Sequence, residues 1–481
     1  MTSYRSENPE WETVLDIDKQ AEKDGISWVW KGSAPLSRYR DPFSNDGQKC
    51  TRTLLKLSRG GADAVFIKEF DLSMNEFVKE EDGAFNLPEA KTRISYKSRD
   101  VVYVGTDFGP GSLTDSGYPR VIKEWVRGTK LEDAKVIFEG EKTDVAVFNY
   151  VTDQRKRNGG IYEIQGRSVT FYTSKYEARK IQYEHLLAPD DPLREGIPEP
   201  KPFVEVDIQE DAEIDIVGKW ILISLRSDWE PVPGEKKYKS GSVIYTDADQ
   251  FLENGSKSCS YHLLFEPTEE TALETYSSTK NYLILSIMDN VKSKLQFFKI
   301  EDDGSPLRFV GGDSTAKIRA ASADGCDSFM NDDFWFTTSG YTQPSTLCLA
   351  DASKIETSSD SAEDKDEPYV IEKVKALPSV FDASDLKVEQ KFAVSEDGTK
   401  VPYFMVCKKD TVLDGNTPTL LYGYGGFEIS MGPKYIASVG TAWLEKGGAY
   451  VEACIRGGGE YGPAWHQVRI LSIFSILLLY F

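Results

Sequence analysis

Residues 281–302 read NYLILSIMDNVKSKLQFFKIED. An apolar run from Tyr282 to Met288 stops at the polar pair Asp289–Asn290, and a second run carries Leu295, Phe297 and Phe298 before ending in Glu301–Asp302. Two short β-prone runs across a polar turn read as a β-hairpin, here with an acidic turn closing its outer strand. The same unit recurs along the chain. It appears as RTLLKLSRGGADAVFIKEFD (52–71), DVVYVGTDFG (100–109), SVTFYTSKY (168–176), WILISLRSDW (220–229) and FWFTTSGYTQPSTLCLAD (334–351). The spacing, about 50 to 70 residues, is that of a four-stranded propeller blade rather than of the shorter repeats of a β-solenoid.

One such unit cannot bury both faces of its sheet, whereas radial stacking of neighbours buries both and shields the edges. Six units are visible. A seventh is completed from WETVLDID (11–18) together with strands near 370. The fold class is therefore mainly β: a seven-bladed β-propeller, over residues 1–385, followed by a different pattern.

That second pattern begins after an acidic, serine-rich loop, DASKIETSSDSAEDKDEPYV (351–370), and a connector, VKALPSVFDASDLKVEQ (374–390). QKFAVSEDGTKVPYFMVCKK (390–409) holds two alternating strands around an Asp397–Gly398 turn. TPTLLYGYG (417–425) is a continuous apolar run, as a buried parallel strand requires. PKYIASVGTAWLEKGG (433–448) carries a helical period in Tyr435, Ile436, Val439, Trp443 and Leu444 and stops at Gly447–Gly448. AYVEACIRGGGEYG (449–462) is the next strand and its glycine turn. Strand, crossover helix and strand make residues 386–466 the first part of an α/β domain.

The 481 residues are 40% hydrophobic and 12% aromatic, which describes a chain with a real core. A net charge of −21 argues against nucleic acid as a partner. Six scattered cysteines without Cys-x-x-Cys spacing predict reduced thiols and a cytoplasmic location. The first residues carry no apolar signal segment. The apolar run 470–481 is shorter than the ~20 residues a bilayer span needs, so no membrane association is expected.

Two glycine turns end the strands of the α/β part, where ligands of such sheets bind. In GYGGF (423–427) a bend can aim backbone N–H groups and the Tyr424 hydroxyl into a cavity, the donors that an oxyanion needs. By spacing alone Tyr424 is as readily a packing aromatic. RGGGEYG (456–462) matches a dinucleotide fingerprint through Gly457, Gly459 and Gly462. Against that reading, the turn should open a helix but runs into Pro463, Trp465 and His466, and Glu460 sets a carboxylate where phosphate would lie. The turn also reads as close backbone packing, with Arg456 and Glu460 paired.

EQKFAVSEDGTKVPYFMV, LLYGYGGFEISMGPKY and GGAYVEACIRGGGEYGPAWH together resemble the prolyl oligopeptidase family of serine peptidases, closely over 388–466. LSRGGADAVFIKEFDL and GTDFGPGSLTDSGYPRVIKEW extend the resemblance into the earlier units. It implies a propeller capping an α/β-hydrolase domain, cleavage of short peptides after proline, Tyr424 as oxyanion donor and Phe427 as a wall of the proline pocket. It implies no metal or organic cofactor, and a monomer acting on short peptides.

The chain departs from the family in what carries the reaction. It contains no G-x-S-x-G elbow, and its three histidines, His185, His262 and His466, all stand before the place where a triad base belongs. Residues 467–481 form an apolar tail unlike the family's polar, helix-forming continuation. The expectation is a fragment truncated before the nucleophile and inactive as it stands; the alternative is a non-catalytic propeller that binds peptides or proteins.

Overall fold

The computed structural model describes residues 2–6, 8–44, 47, 49–313, 315–357, 367 and 369–471. From Trp28 to Ala376 the chain forms six antiparallel sheets in sequence order. Five have four strands each; the first has five, because Leu87–Ala90 also pairs with Val65–Asp71. The second strands are Arg52–Arg59, Val101–Gly105, Ile161–Ser168, Trp220–Ser224, Tyr282–Asp289 and Asp333–Gly340. Five of the six apolar runs noted in the sequence fall on them. The exception is SVTFYTSKY, which is the bend between Ile161–Ser168 and Ser174–Ile181. Its Phe171 is exposed because it serves a contact outside its own sheet.

Alternation along these strands decides how the sheets stack. In Trp220–Ser224, Ile221 and Ile223 share a core with Tyr162 and Ile164 of the third sheet. Trp220 and Leu222, on the opposite face, share one with Leu283 and Leu285 of the fifth. Successive side chains point to opposite faces of a strand, so each sheet contributes to two cores. Tyr282 and Ile284 pack in turn with Phe334 and Phe336 of the sixth sheet. The sixth sheet also reaches the first: Tyr39, after the first strand, donates its hydroxyl to Asp327 at 2.7 Å, and its ring meets Phe329 at 4.9 Å.

The described residues hold six such sheets, not seven. Val370–Ala376 is the fourth strand of the sixth sheet, and Trp11–Asp16 forms no strand. Asp16 instead accepts the Lys19 N–H at 3.0 Å and caps the helix Ile17–Asp24, which Gly25 closes with φ 66°. Half of the acidic loop and most of the apolar tail lie outside the described residues.

A mixed sheet follows, in the order Leu386–Val394, Lys400–Lys408, Ala449–Ala453, Thr419–Gly423, the last two parallel. The crossover carries the expected helical turn, Ala437–Leu444, with Gly447 at φ 89° just beyond. Tyr435, Ile436, Val439 and Trp443 pack on the core of Phe404, Val406 and Tyr450. Thr419–Gly423, expected to be buried, is exposed at every residue. It is the edge strand, and no described element covers its faces.

The connections between second and third strands face this mixed sheet. Asn290 and Val291 turn the hairpin of residues 281–302 with φ 47° and 63°, the doubly left-handed bend that suits a two-residue hairpin. A β-branched residue rarely adopts that conformation, which costs roughly 1–2 kcal/mol. Here Val291 is buried in the same core as Phe404 and Tyr450, and that burial offsets the cost. Tyr341, in the corresponding connection of the sixth sheet, donates to fully buried Glu452 at 3.0 Å, and Tyr450 donates to its other oxygen at 2.8 Å.

Candidate active site

The two glycine turns interlock. A Cβ on Gly425 would stand 2.5 Å from the Arg456 carbonyl oxygen, and one on Gly459 would stand 2.4 Å from that of Glu428. Only glycine permits this approach of backbone to backbone. Glu428 N–H donates to Gly457 O at 3.3 Å across the same contact. Phe427 and Glu428 have φ of 54° and 58°, two consecutive non-glycine residues in the left-handed region. Strain of that kind collects at functional sites.

Tyr424 lies half-buried against the Phe404–Tyr450 core, with its hydroxyl curled over Gly426. Among the described residues that hydroxyl has no hydrogen-bond partner. Phe427 is 64% exposed beside the tip of the third sheet, where Phe171 is 72% exposed; the two rings meet at 5.9 Å. The sequence resemblance singled out Tyr424 and Phe427, and the structure places both on one turn, Tyr424 packed on the core and Phe427 on the rim beside Phe171.

Residues that no motif indicated complete that rim. Arg226, after Trp220–Ser224, forms an ion pair with Glu428 and lies 4.3 Å from the Tyr172 ring centre. Tyr172 in turn meets the His466 ring at 5.3 Å, and Gln467 donates to Arg226 O at 3.1 Å. The weak signal for them was two aromatics, Phe171 and Tyr172, at a hairpin bend.

Arg456 does not pair with Glu460. It binds Asp397 of the Asp-Gly turn and donates to Ser395 Oγ at 3.0 Å, and Asp397 is held well below the ordinary carboxylate range by that guanidinium. Glu460 turns inward instead, accepting Met431 N–H at 2.8 Å, and burial pushes its carboxyl up to about 7. The turn also opens a helix, Pro463–Leu471, contrary to the sequence expectation, because proline is well suited to the first helical position. The dinucleotide reading gains nothing from it. A Cβ on Gly458 would stand 2.2 Å from Glu460 Oε2, so the carboxylate fills the space inside the turn.

The histidines have structural places. His185 accepts from Gln182 N–H at 3.0 Å and donates to Pro198 O at 2.8 Å. His262 stacks on Tyr245 at 5.1 Å, where burial lowers its pKa. His466 donates through Nδ1 to Gly457 O at 2.8 Å, bracing the second turn, while its Nε2 stays buried without a partner. The six cysteines are free thiols. Among the described residues no cluster has the makings of a metal site, and no helix is long and apolar enough to cross a membrane.

No protein-family model matches the chain. Over 97% of its length it is 36% identical to an uncharacterized peptidase of Sinorhizobium fredii, covering 58% of that protein. An uncharacterized peptidase of Rickettsia prowazekii matches at 28% identity over the same share, 59% of its own length. A prolyl endopeptidase of Elizabethkingia miricola is 46% identical over 103 residues. Among solved structures, a post-proline cleaving enzyme from Rickettsia typhi aligns with a TM-score of 0.78 at 26% identity, over 97% of this chain and 62% of that one. The chain thus spans about three fifths of the length of the two uncharacterized peptidases and of the Rickettsia typhi enzyme. These likenesses support the prolyl oligopeptidase family of peptidases for this chain.

Proposed function

We propose that this protein is a serine-type peptidase acting on short peptides at the carboxyl side of proline, and that the 481 residues supply its entry structure and half of its site. The observation that carries the reading is the Tyr424 hydroxyl, an unengaged donor on a strained glycine turn beside exposed Phe427. In acyl transfer such a donor stabilises the oxyanion of the tetrahedral intermediate. Phe427 and Phe171 offer the flat apolar surface that a proline ring packs on. The six sheets are read as propeller blades over residues 1–385, stacked on an α/β-hydrolase part over 386–466, with the propeller limiting the size of peptide admitted.

The chain has no G-x-S-x-G elbow, so it binds substrate and holds the oxyanion turn but supplies no nucleophile. Incubation of the pure 481-residue chain with a Gly-Pro fluorogenic peptide tests this. No turnover above buffer is expected. Turnover that a serine-directed phosphonate abolishes would overturn the assignment of roles.

A further inference from the structure

The connections between first and second strands lie at the end of the sheets away from the mixed sheet, because antiparallel strands send alternate connections to opposite ends. Several converge there. Arg157, after Ala146–Asp153 of the third sheet, lies 5.0 Å from the Phe329 ring centre of the sixth and donates to Ser278 Oγ of the fifth at 3.1 Å. Arg40, after the first strand, donates to Tyr96 O and Lys97 O of the second sheet at 3.1 and 2.9 Å. Between them is a cavity of about 620 Å³. That is within the ~300–1,000 Å³ typical of ligand sites.

Its wall carries four cations, Arg38, Arg40, Arg155 and Lys156, and two carboxylates, Asp41 and Asp153. The carboxylates are committed. Asp153 takes Arg155 through two bonds at 2.9 and 2.7 Å, and Asp41 takes Arg99 at 3.3 Å. Arg38 pairs with Asp327 at 2.5 Å. Two cations remain. Among the described residues Arg40 donates to backbone carbonyls and to no carboxylate, with Asp153 acting on it only through space, and Lys156 has no carboxylate partner. On a chain of net charge −21, a cavity whose described residues carry surplus positive charge is the reverse of the general field. A partly enclosed site of low dielectric strengthens the attraction for an anion. Tyr39, Tyr183 and Phe329 supply an aromatic part of the wall, which suits a ligand with carbon between its charges.

We propose that this cavity is a second binding site, distinct from the glycine turns, that takes the carboxylate side chains of an acidic oligopeptide. Inorganic phosphate shares the anionic chemistry but not the apolar spacing. The test is calorimetric titration of the 481-residue chain at low salt with Ac-Gly-Glu-Glu-Glu-NH2 and with its triple-glutamine counterpart. The acidic peptide is expected to bind about tenfold more tightly, with the preference shrinking as salt is added. Exposed Lys156→Glu is expected to weaken the acidic peptide at least about fivefold without changing the thermal midpoint, and Arg40→Gln to weaken it further. Should Arg40→Gln fail to fold, Lys156→Glu decides alone. Equal affinity for the two peptides, an unaffected Lys156→Glu, or displacement of the peptide by equimolar phosphate would each overturn the proposal. The readout is binding, so it stands or falls independently of any hydrolysis at the glycine turns.

Discussion

Gly425 and Gly459 show how little freedom the site allows its own backbone. Each faces a carbonyl oxygen at a distance no Cβ tolerates, so Gly425→Ala and Gly459→Ala must push the two turns apart. Each is expected to lower stability by about 1–3 kcal/mol, read by denaturant unfolding. Glu460 gives a pH signature. Its folded pKa of about 7 exceeds the ordinary carboxyl value, so the folded state holds a proton that the unfolded chain has released. Stability from this group is complete below about pH 4.5 and is lost as the pH rises to about 7. Glu460→Gln keeps the acceptor for Met431 N–H and removes the titration. The variant should match the parent near pH 4.5 and unfold at higher temperature near pH 8; parallel curves of thermal midpoint against pH would refute this. Tyr424 and Phe427 were singled out by the family resemblance, since by spacing alone Tyr424 reads as readily as a packing aromatic. The Arg226–Glu428 ion pair was not foreseeable from the sequence, because it joins residues 202 apart and Arg226 stands in no motif.

Among the elements, apolar strands with polar turns were readable in most strands buried on both faces, as in Tyr282–Asp289, though not in Ile161–Ser168. The reading failed where an aromatic residue serves a neighbour instead of its own sheet, as at Phe171 and Tyr172. It failed again at the amino end, where the Asp16 cap overrides the alternation of WETVLDID. Thr419–Gly423 has the composition of a central parallel strand but sits at the sheet edge with Leu420 at 43% and Leu421 at 47% exposure. An apolar exposed edge invites strand pairing between molecules. Leu421→Lys is therefore expected to reduce aggregation, measured by light scattering over time, while leaving the unfolding midpoint within about 0.5 kcal/mol of the parent.

Across the whole molecule, contacts between the sheets and the glycine turns are few and specific. Tyr341 on Glu452, Val291 in the Phe404 core and Arg226 on Glu428 join the sixth, fifth and fourth sheets to the mixed sheet and its turns. Tyr341→Phe leaves a fully buried carboxylate with one fewer donor, at a cost of about 1–3 kcal/mol seen as earlier unfolding of the mixed sheet in hydrogen exchange. The repeat spacing made six sheets legible. Their number was overread because the strand at Val370–Ala376 belongs to the sixth sheet, a pairing over some twenty residues of acidic loop that local pattern does not encode. The central claim is that the GYGGF turn is a proline-peptide site even in a chain that carries no G-x-S-x-G elbow. Calorimetric titration with a blocked Gly-Pro peptide and its Gly-Ala counterpart, on the parent and on Phe427→Ala, tests it most directly. The account predicts tighter binding of the proline peptide to the parent and loss of that preference in Phe427→Ala; equal binding of both peptides to the parent, or a preference that survives the substitution, would contradict it.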